Sequence, residues 1–323
     1  MKAVQVHQTG GPEALKVDNI KPGQPGPDEV LVKNHAIGVN FTDVYLRSGA
    51  FPPPSLPFVP GKEGAGEVLA VGENVTDFAV GDRVAFVETM GAYAEQTVVP
   101  AHFLIHLPDS ISYETAAATM IRGLTAQFLL RRTFRVEAGH TVLVQAAAGG
   151  VGVILTQWAK HLGATVIGTV GSKEKEEIAR RNGCDHVINY NEEDFASRVA
   201  EITQGEGCDV VYDSVGKATF PGSLDCLRMF GTFVSFGFAS GKIPPMDIMI
   251  LLEKGSLFAT WPGLTMYLDK REDVISMSQE LFDVIASGAV KIQAPLKLSL
   301  DDAAEAHRRI ESRESTGTMV LLT

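Results

Sequence analysis

The stretch TVLVQAAAGGVGVILTQWAKHLGATVIGTVGS, residues 141–172, constrains this chain more than any other. Residues 141–145 are a short apolar run suited to a buried parallel strand. Seven small or apolar residues follow, among them Ala148, Gly149, Gly150 and Gly152, and then Val151 and its neighbours lead into a helical pattern over 153–162 that Gly163 closes. Residues 164–170 form a second apolar, β-branched strand. Strand, glycine turn, helix, strand is the βαβ unit of a doubly wound sheet. A helix N-terminus offers a pyrophosphate free N–H groups and a positive dipole end, and a Cβ in the turn would hold the phosphates away from the backbone. A tight βα turn without a ligand would account for the glycines alone. The match on both flanks favours dinucleotide binding, with Ala148, Gly149, Gly150 and Val151 at the phosphates.

The end of the second strand reads Gly168-Thr169-Val170-Gly171-Ser172-Lys173-Glu174-Lys175. NAD sites place Asp or Glu there, on the ribose 2′-hydroxyl. Here no acid stands at the strand end. A hydroxyl and two lysines follow, and they would welcome a 2′-phosphate that a carboxylate would repel. The expected cofactor is therefore NADPH, its 2′-phosphate met by Ser172, Lys173 or Lys175 after Gly171, although Ser172 also suits a plain helix N-cap and the lysines a solvated helix face.

The alternation continues downstream. Helical patterns over 173–182, 192–203 and 221–228 separate apolar strands at 186–189, 209–213, 232–236 and 255–260, which predicts a sheet of about six strands. Ligands of such sheets lie beyond the carboxyl ends of the strands, which points to Ser214 and Gly216, and to Phe236 and Gly237. Residues 1–110 instead carry short strands (3–7, 29–37, 64–71, 83–87, 93–99) between Gly- and Pro-rich turns, the pattern of a partly closed barrel. Residues 112–132 read as one long helix bridging the two parts, with Gly123 as a break or a close approach. Residues 261–323 leave the alternation, with helices near 268–287 and 303–311 and strands near 296 and 318–322.

A length of 323 residues suits two domains, and 28 basic against 39 acidic residues gives a net charge of −11. Such a surface is expected to bind neither nucleic acid nor anionic membrane. Three isolated cysteines, Cys184, Cys208 and Cys226, give no disulfide framework, and the N-terminus has no signal-like apolar core, so a cytoplasmic protein is expected.

Several motifs together are specific. They are Gly38-Val39-Asn40-Phe41-Thr42-Asp43, Pro52-Pro53-Pro54-Ser55-Leu56-Pro57, Arg122-Gly123-Leu124-Thr125, the glycine turn, Val211-Tyr212-Asp213-Ser214-Val215-Gly216, Ser235-Phe236-Gly237 and residues 306–313. The chain resembles, over nearly its whole length, the ζ-crystallin-like quinone oxidoreductases of the zinc-independent medium-chain dehydrogenase/reductase superfamily. The resemblance implies an α/β fold: an N-terminal GroES-like β-barrel catalytic domain (1–123 and 262–323) plus a doubly wound Rossmann domain (124–261). It implies a homodimer and NADPH contacts at Thr125, Gly149, Gly150, Val151, Ser172, Lys175, Tyr190, Gly216, Phe236 and Arg313.

Zinc-bearing relatives carry a Cys before the Thr-Asp pair and a His between Gly and Glu. Here Asn40 and Lys62 stand at those places, and an amide and an ammonium make no zinc site, so no metal is expected. Without a Lewis acid, a quinone is a better substrate than an alcohol. Asn40, Tyr45 and Lys62 are candidate donors to the product oxyanion, with Asp43 in the same pocket; helix capping or core packing would also account for Asn40, Asp43 and Tyr45. Phe51, Phe238 and Trp261 replace a tyrosine, an asparagine and an arginine common in the family, and make the expected substrate pocket more apolar. Two other readings remain open: reduction of activated C=C bonds in enones or alkenals, and a non-enzymatic NADPH-binding structural or RNA-binding protein.

Overall fold

A computed structural model describes residues 1–312 and 317–323. The chain forms two compact units. One comprises Met1–Ile121, Leu268–Ser278 and Ile292–Thr323, the other Arg122–Tyr267 and Gln279–Lys291.

The first unit is β-rich. Its main sheet has the order Leu296–Ser299, Met319–Leu322, Glu29–Gly38, Glu63–Val71, Arg83–Val87, Leu104–His106, and Gln96–Pro100 also pairs with Glu29–Gly38. A separate ribbon joins Lys2–Val6 to Leu15–Asn19. Strand Glu29–Gly38 is long enough to pair twice: its first half bonds Gln96–Pro100, its last residues the C-terminal strand. Apolar residues from both ends of the chain share one core, Val4 and Val6 with Ile37, Phe86, Leu300, Ala306 and Leu321. At ~25 cal/mol per Å² of apolar surface, such shared burial is what fixes the returning C-terminal segment to the sheet.

The second unit is a six-stranded sheet in the order His186–Asn189, Thr165–Val170, Thr141–Val144, Cys208–Asp213, Leu227–Ser235, Phe258–Thr260. Every pairing is parallel. In chain order this is 3-2-1-4-5-6, whose switch point lies between Thr141–Val144 and Cys208–Asp213. The three cysteines are buried and unbridged. Burial pushes the Cys184 and Cys208 thiols up to about 12 and Cys226 higher still, which leaves them unreactive. Among the described residues no helix is long and apolar enough to cross a membrane.

Two expected elements differ. The long helix over 112–132 is broken: Tyr113–Ala117 stops, Met120–Phe128 restarts, and Leu129–Thr133 is a π segment. The break falls at 118–119 because a distant side chain caps the restart, the Glu63 carboxylate accepting the Ile121 N–H at 2.6 Å. Gly123 sits inside the restarted helix and serves close approach, since a Cβ there would lie 2.5 Å from Leu281 Cδ1. The helix expected at 221–228 ends at Asp225, and Leu227 already belongs to the next strand, which a register shift beside Cys208 and Val210 accommodates.

Candidate functional site

The expected site residues fall in two groups, one in each unit. In the second unit, all-parallel pairing puts the residues after each strand at one edge of the sheet. Gly149 caps helix Gly150–His161, and both Gly149 and Gly150 are exposed, so the first N–H groups of the helix face outward. Gly152 is buried beneath them: a Cβ would lie 2.4 Å from the Ala146 carbonyl oxygen. Ala148 is buried and Val151 half-buried beside this turn, and Thr125 is half-buried on helix Met120–Phe128. Gly150 has a partner that the sequence did not reveal, since a Cβ on it would lie 2.8 Å from Arg122 Nε. Arg122 is itself 7% exposed, so a guanidinium packs against the positive end of a helix.

Ser172 caps helix Lys173–Arg181, its Oγ accepting the Lys175 N–H at 3.3 Å. Tyr190 stands beside it: a Cβ on Gly171 would lie 2.3 Å from the Tyr190 hydroxyl, and the ring is about half exposed. Gly171, Ser172, Lys175 and Tyr190 therefore form one surface at the ends of two adjacent strands. On the other side of the switch point, Gly216 has φ +86°, and a Cβ there would meet the Gly241 carbonyl at 2.6 Å and Phe238 Cα at 3.1 Å. A Cβ on Gly237 would lie 2.8 Å from the Ser214 carbonyl. Phe236 N–H donates to Asp213 O at 2.9 Å, and the Phe238 and Trp261 rings are 6.0 Å apart.

Asp213 holds this edge together. Its fully buried carboxylate accepts from the Val215 and Gly216 N–H groups at 2.8 and 2.9 Å, from Thr219 Oγ1 at 2.7 Å and from Ser223 Oγ at 2.9 Å. Gln145 donates to Ser223 and accepts from Thr169 Oγ1 at 2.6 Å, which extends the network across three strands.

In the first unit, Asn40 caps helix Phe41–Ser48 in a capping box with Asp43. The Asn40 N–H donates to Asp43 Oδ2 at 2.8 Å, and the Asn40 amide Nδ2 donates to Glu63 Oε1 at 2.8 Å. Asn40, Asp43 and Glu63 are all buried. Tyr45 lies on the same helix, its ring 5.2 Å from that of Phe51 and 6.1 Å from that of Phe41. Lys62 is held apart from this group by an ion pair, Nζ to Glu88 Oε2 at 2.8 Å. Among the described residues no three of His, Cys, Asp and Glu gather as a metal-holding group. Arg313 lies outside the described residues.

A second layer was not legible in the sequence. Tyr93 donates its hydroxyl proton to Asp43 at 3.2 Å and lies 3.0 Å from His307 Nε2. With the Tyr93 proton on Asp43, His307 donates from Nε2, and its buried Nδ1 has no hydrogen-bond partner among the described residues. Burial, helped by the charge of Arg47, holds the His307 imidazole down at about 3. Buried Arg47 grips Glu311 with two bonds of 2.7 and 3.0 Å, tying helix Phe41–Ser48 to helix Ala303–Ser312. The unfolded imidazole takes up its proton below pH ~6.5 and the folded one only near 3, so stability must fall as pH falls through that window. We expect wild type to lose on the order of 1 kcal/mol per pH unit more than His307→Gln between pH 6.5 and 5, measured by urea unfolding. Parallel slopes would mean that His307 is protonated in the fold.

With this geometry in place, comparison with known proteins is decisive. Residues 26–109 match the alcohol dehydrogenase GroES-like domain and residues 150–282 the zinc-binding dehydrogenase family. The chain is 49% identical to a quinone oxidoreductase of Pseudomonas aeruginosa over 99% of both chains. It belongs to the quinone oxidoreductase family of medium-chain dehydrogenases/reductases. The crystal structure of the Escherichia coli quinone oxidoreductase complexed with NADPH matches with a TM-score of 0.98 at 45% identity, covering all of both chains. A 2-haloacrylate reductase of a Burkholderia species is 44% identical over 99% of this chain and 98% of its own. The fold of this quinone oxidoreductase family member is thus a GroES-like domain plus a Rossmann-type domain, and the protein is an oxidoreductase.

Proposed function

We propose that this chain is an NADPH-dependent quinone reductase that works without a metal. The single observation that carries the reading is the strand-end surface of Gly171, Ser172, Lys175 and Tyr190, with no carboxylate on the strand end, in a family whose E. coli member is solved with NADPH. The second unit fits that cofactor. Exposed N–H groups of helix Gly150–His161 and the neighbouring Arg122 suit the pyrophosphate, the Ser172–Lys175 turn suits the 2′-phosphate, and the Ser214–Gly216 and Phe236–Gly237 turns suit the nicotinamide end. Thr125 and Arg313 complete the proposed contacts.

When bound, NADPH supplies a hydride, which with one proton converts a quinone to a hydroquinone. The chain's own task is to hold the acceptor in line and to meet its developing oxyanion. Asn40 offers an amide N–H, Tyr45 a phenol, and Asp43 fixes the helix start that carries both. Lys62, neutralised by Glu88, acts through the field around the pocket rather than as a free cation. Phe51, packed against Tyr45 in the first unit, and Phe238, packed against Trp261 in the second, are each proposed as apolar contacts for a flat, apolar electrophile. The donor set also opposes zinc: one Asn40 amide N–H is engaged by Glu63 and the Lys62 ammonium by Glu88, and neither nitrogen is a zinc ligand.

The test is the loss of NADPH absorbance against 1,2- and 1,4-quinones, an enone, an alkenal and a 2-haloacrylate, with NADH in parallel. Fast quinone turnover with NADPH supports the reading. Turnover of the double-bond substrates alone would move the chain to the second reading, which the 2-haloacrylate reductase relative favours. NADPH binding without any turnover would favour a non-enzymatic role.

We further propose a homodimer. Phe258–Thr260 is the outer strand of the six-stranded sheet, Phe258 is 62% exposed, and Met229 and Phe230 of the neighbouring strand Leu227–Ser235 are exposed as well. An apolar, unpaired sheet edge of this kind suits a second copy of itself. Sedimentation should give a dimer for wild type and a monomer for Phe258→Asp; a monomeric wild type would refute the assembly.

A further inference from the structure

Asn40 presents one amide, and an amide has two ends of opposite character. The structure contains what decides which end faces where. Glu63 opens strand Glu63–Val71 and is fully buried. Its two oxygens are divided: Oε1 accepts from Asn40 Nδ2 at 2.8 Å, and Oε2 from the backbone N–H of Ile121 at 2.6 Å, in the first turn of helix Met120–Phe128. The positive end of that helix favours the carboxylate in its ionised form. Gly38 makes the slot, because a Cβ there would lie 2.0 Å from Glu63 Oε1 and 2.3 Å from the Ala117 carbonyl.

An ionised carboxylate can only accept. It therefore forces the nitrogen of Asn40 inward, while the Asp43 backbone N–H donates to the Asn40 main-chain carbonyl at 3.1 Å and holds the residue at the helix start. With one hydrogen held by Glu63, the second N–H of the planar amide has no partner among the described residues, and its direction follows from the first. We propose that Glu63 is a positioning residue for the reaction: it never touches substrate, but it makes Asn40 a donor of fixed orientation. The inference rests on Asn40 meeting the acceptor oxyanion, as proposed above.

Glu63→Gln is nearly isosteric and separates the two roles of the carboxylate. The new amide oxygen can keep the Ile121 N–H, and its NH₂ then faces Asn40. Asn40 must turn its oxygen inward or lose the bond, and in either case its outward donor is displaced. The measurements are kcat and KM for a quinone, NADPH affinity by fluorescence, and Tm, for E63Q, N40A and the double variant. We expect N40A and E63Q each to lower kcat on the order of 100-fold. NADPH affinity should hold, E63Q should keep a Tm within a few degrees of wild type, and the double variant should be no slower than N40A, since both changes remove one donor. Glu63→Asp, which keeps the charge one methylene short, should lower kcat in the same way and serves if E63Q folds poorly.

Three results would overturn the proposal, and they differ. Impaired N40A with fully active E63Q and E63D removes Glu63 while leaving Asn40 in place. Additive losses in the double variant would make Glu63 act independently of Asn40. An unimpaired N40A would remove the role of Asn40 itself, and with it anything for Glu63 to position.

Discussion

Ser172→Asp should turn the coenzyme preference around. Aspartate is as good an N-cap as serine, so the bond to the Lys175 N–H survives and helix Lys173–Arg181 stays anchored. What changes is the charge at the strand end. A carboxylate ~5 Å from the 2′-phosphate repels it by about 3 kcal/mol per unit of phosphate charge at an effective dielectric constant near 20, so NADPH affinity should fall by at least roughly 100-fold. The same carboxylate can accept both ribose hydroxyls of NADH, so NADH affinity should rise. Fluorescence titration of both coenzymes measures this. Unchanged affinity for each would show that the 2′-phosphate lies elsewhere.

Asp213→Ala should be the most damaging single change in the nucleotide-binding unit. It removes the acceptor of two backbone N–H groups and two hydroxyls, all at a fully buried position. Leaving several buried donors without partners costs on the order of 4 kcal/mol, or a fall of about 10 °C in Tm for a chain of this size. NADPH binding should weaken as well, because the carboxylate shapes the turn in which Gly216 takes φ +86°. Thermal unfolding with and without NADPH tests both effects. A loss below 1 kcal/mol would mean that the turn is held by its backbone alone.

The parts of the molecule that the sequence made legible are those whose causes are local. The βαβ unit follows from apolar runs and a glycine turn within some thirty residues, and strand His186–Asn189 falls where its short apolar run predicts. The absence of an acid after Val170 is likewise a local fact. The bonds hidden from the sequence join residues far apart in the chain. Glu63 caps a helix 58 residues away, which breaks the helix that 112–132 otherwise predicts. Tyr93 meets His307 across 214 residues. Arg122 packs on Gly150, so that glycine's lost Cβ serves a side chain as well as any phosphate. The clue to Glu63 was present, a charged residue opening an apolar strand behind Gly61-Lys62, but only the fold shows that its carboxylate is buried.

Strand Glu29–Gly38 takes its last partners, Val320 to Leu322, from the opposite end of the sequence. On a ribosome adding ~5–20 residues per second, those partners emerge on the order of tens of seconds after the strand that waits for them. Through that interval the 36–38 segment presents an open ladder beside apolar side chains, while the parallel sheet made from the middle of the chain already has nearly all its strands. The order of birth thus makes the first-synthesised unit the last to close, and its nascent edge is where a chaperone or an aggregating neighbour would find this chain.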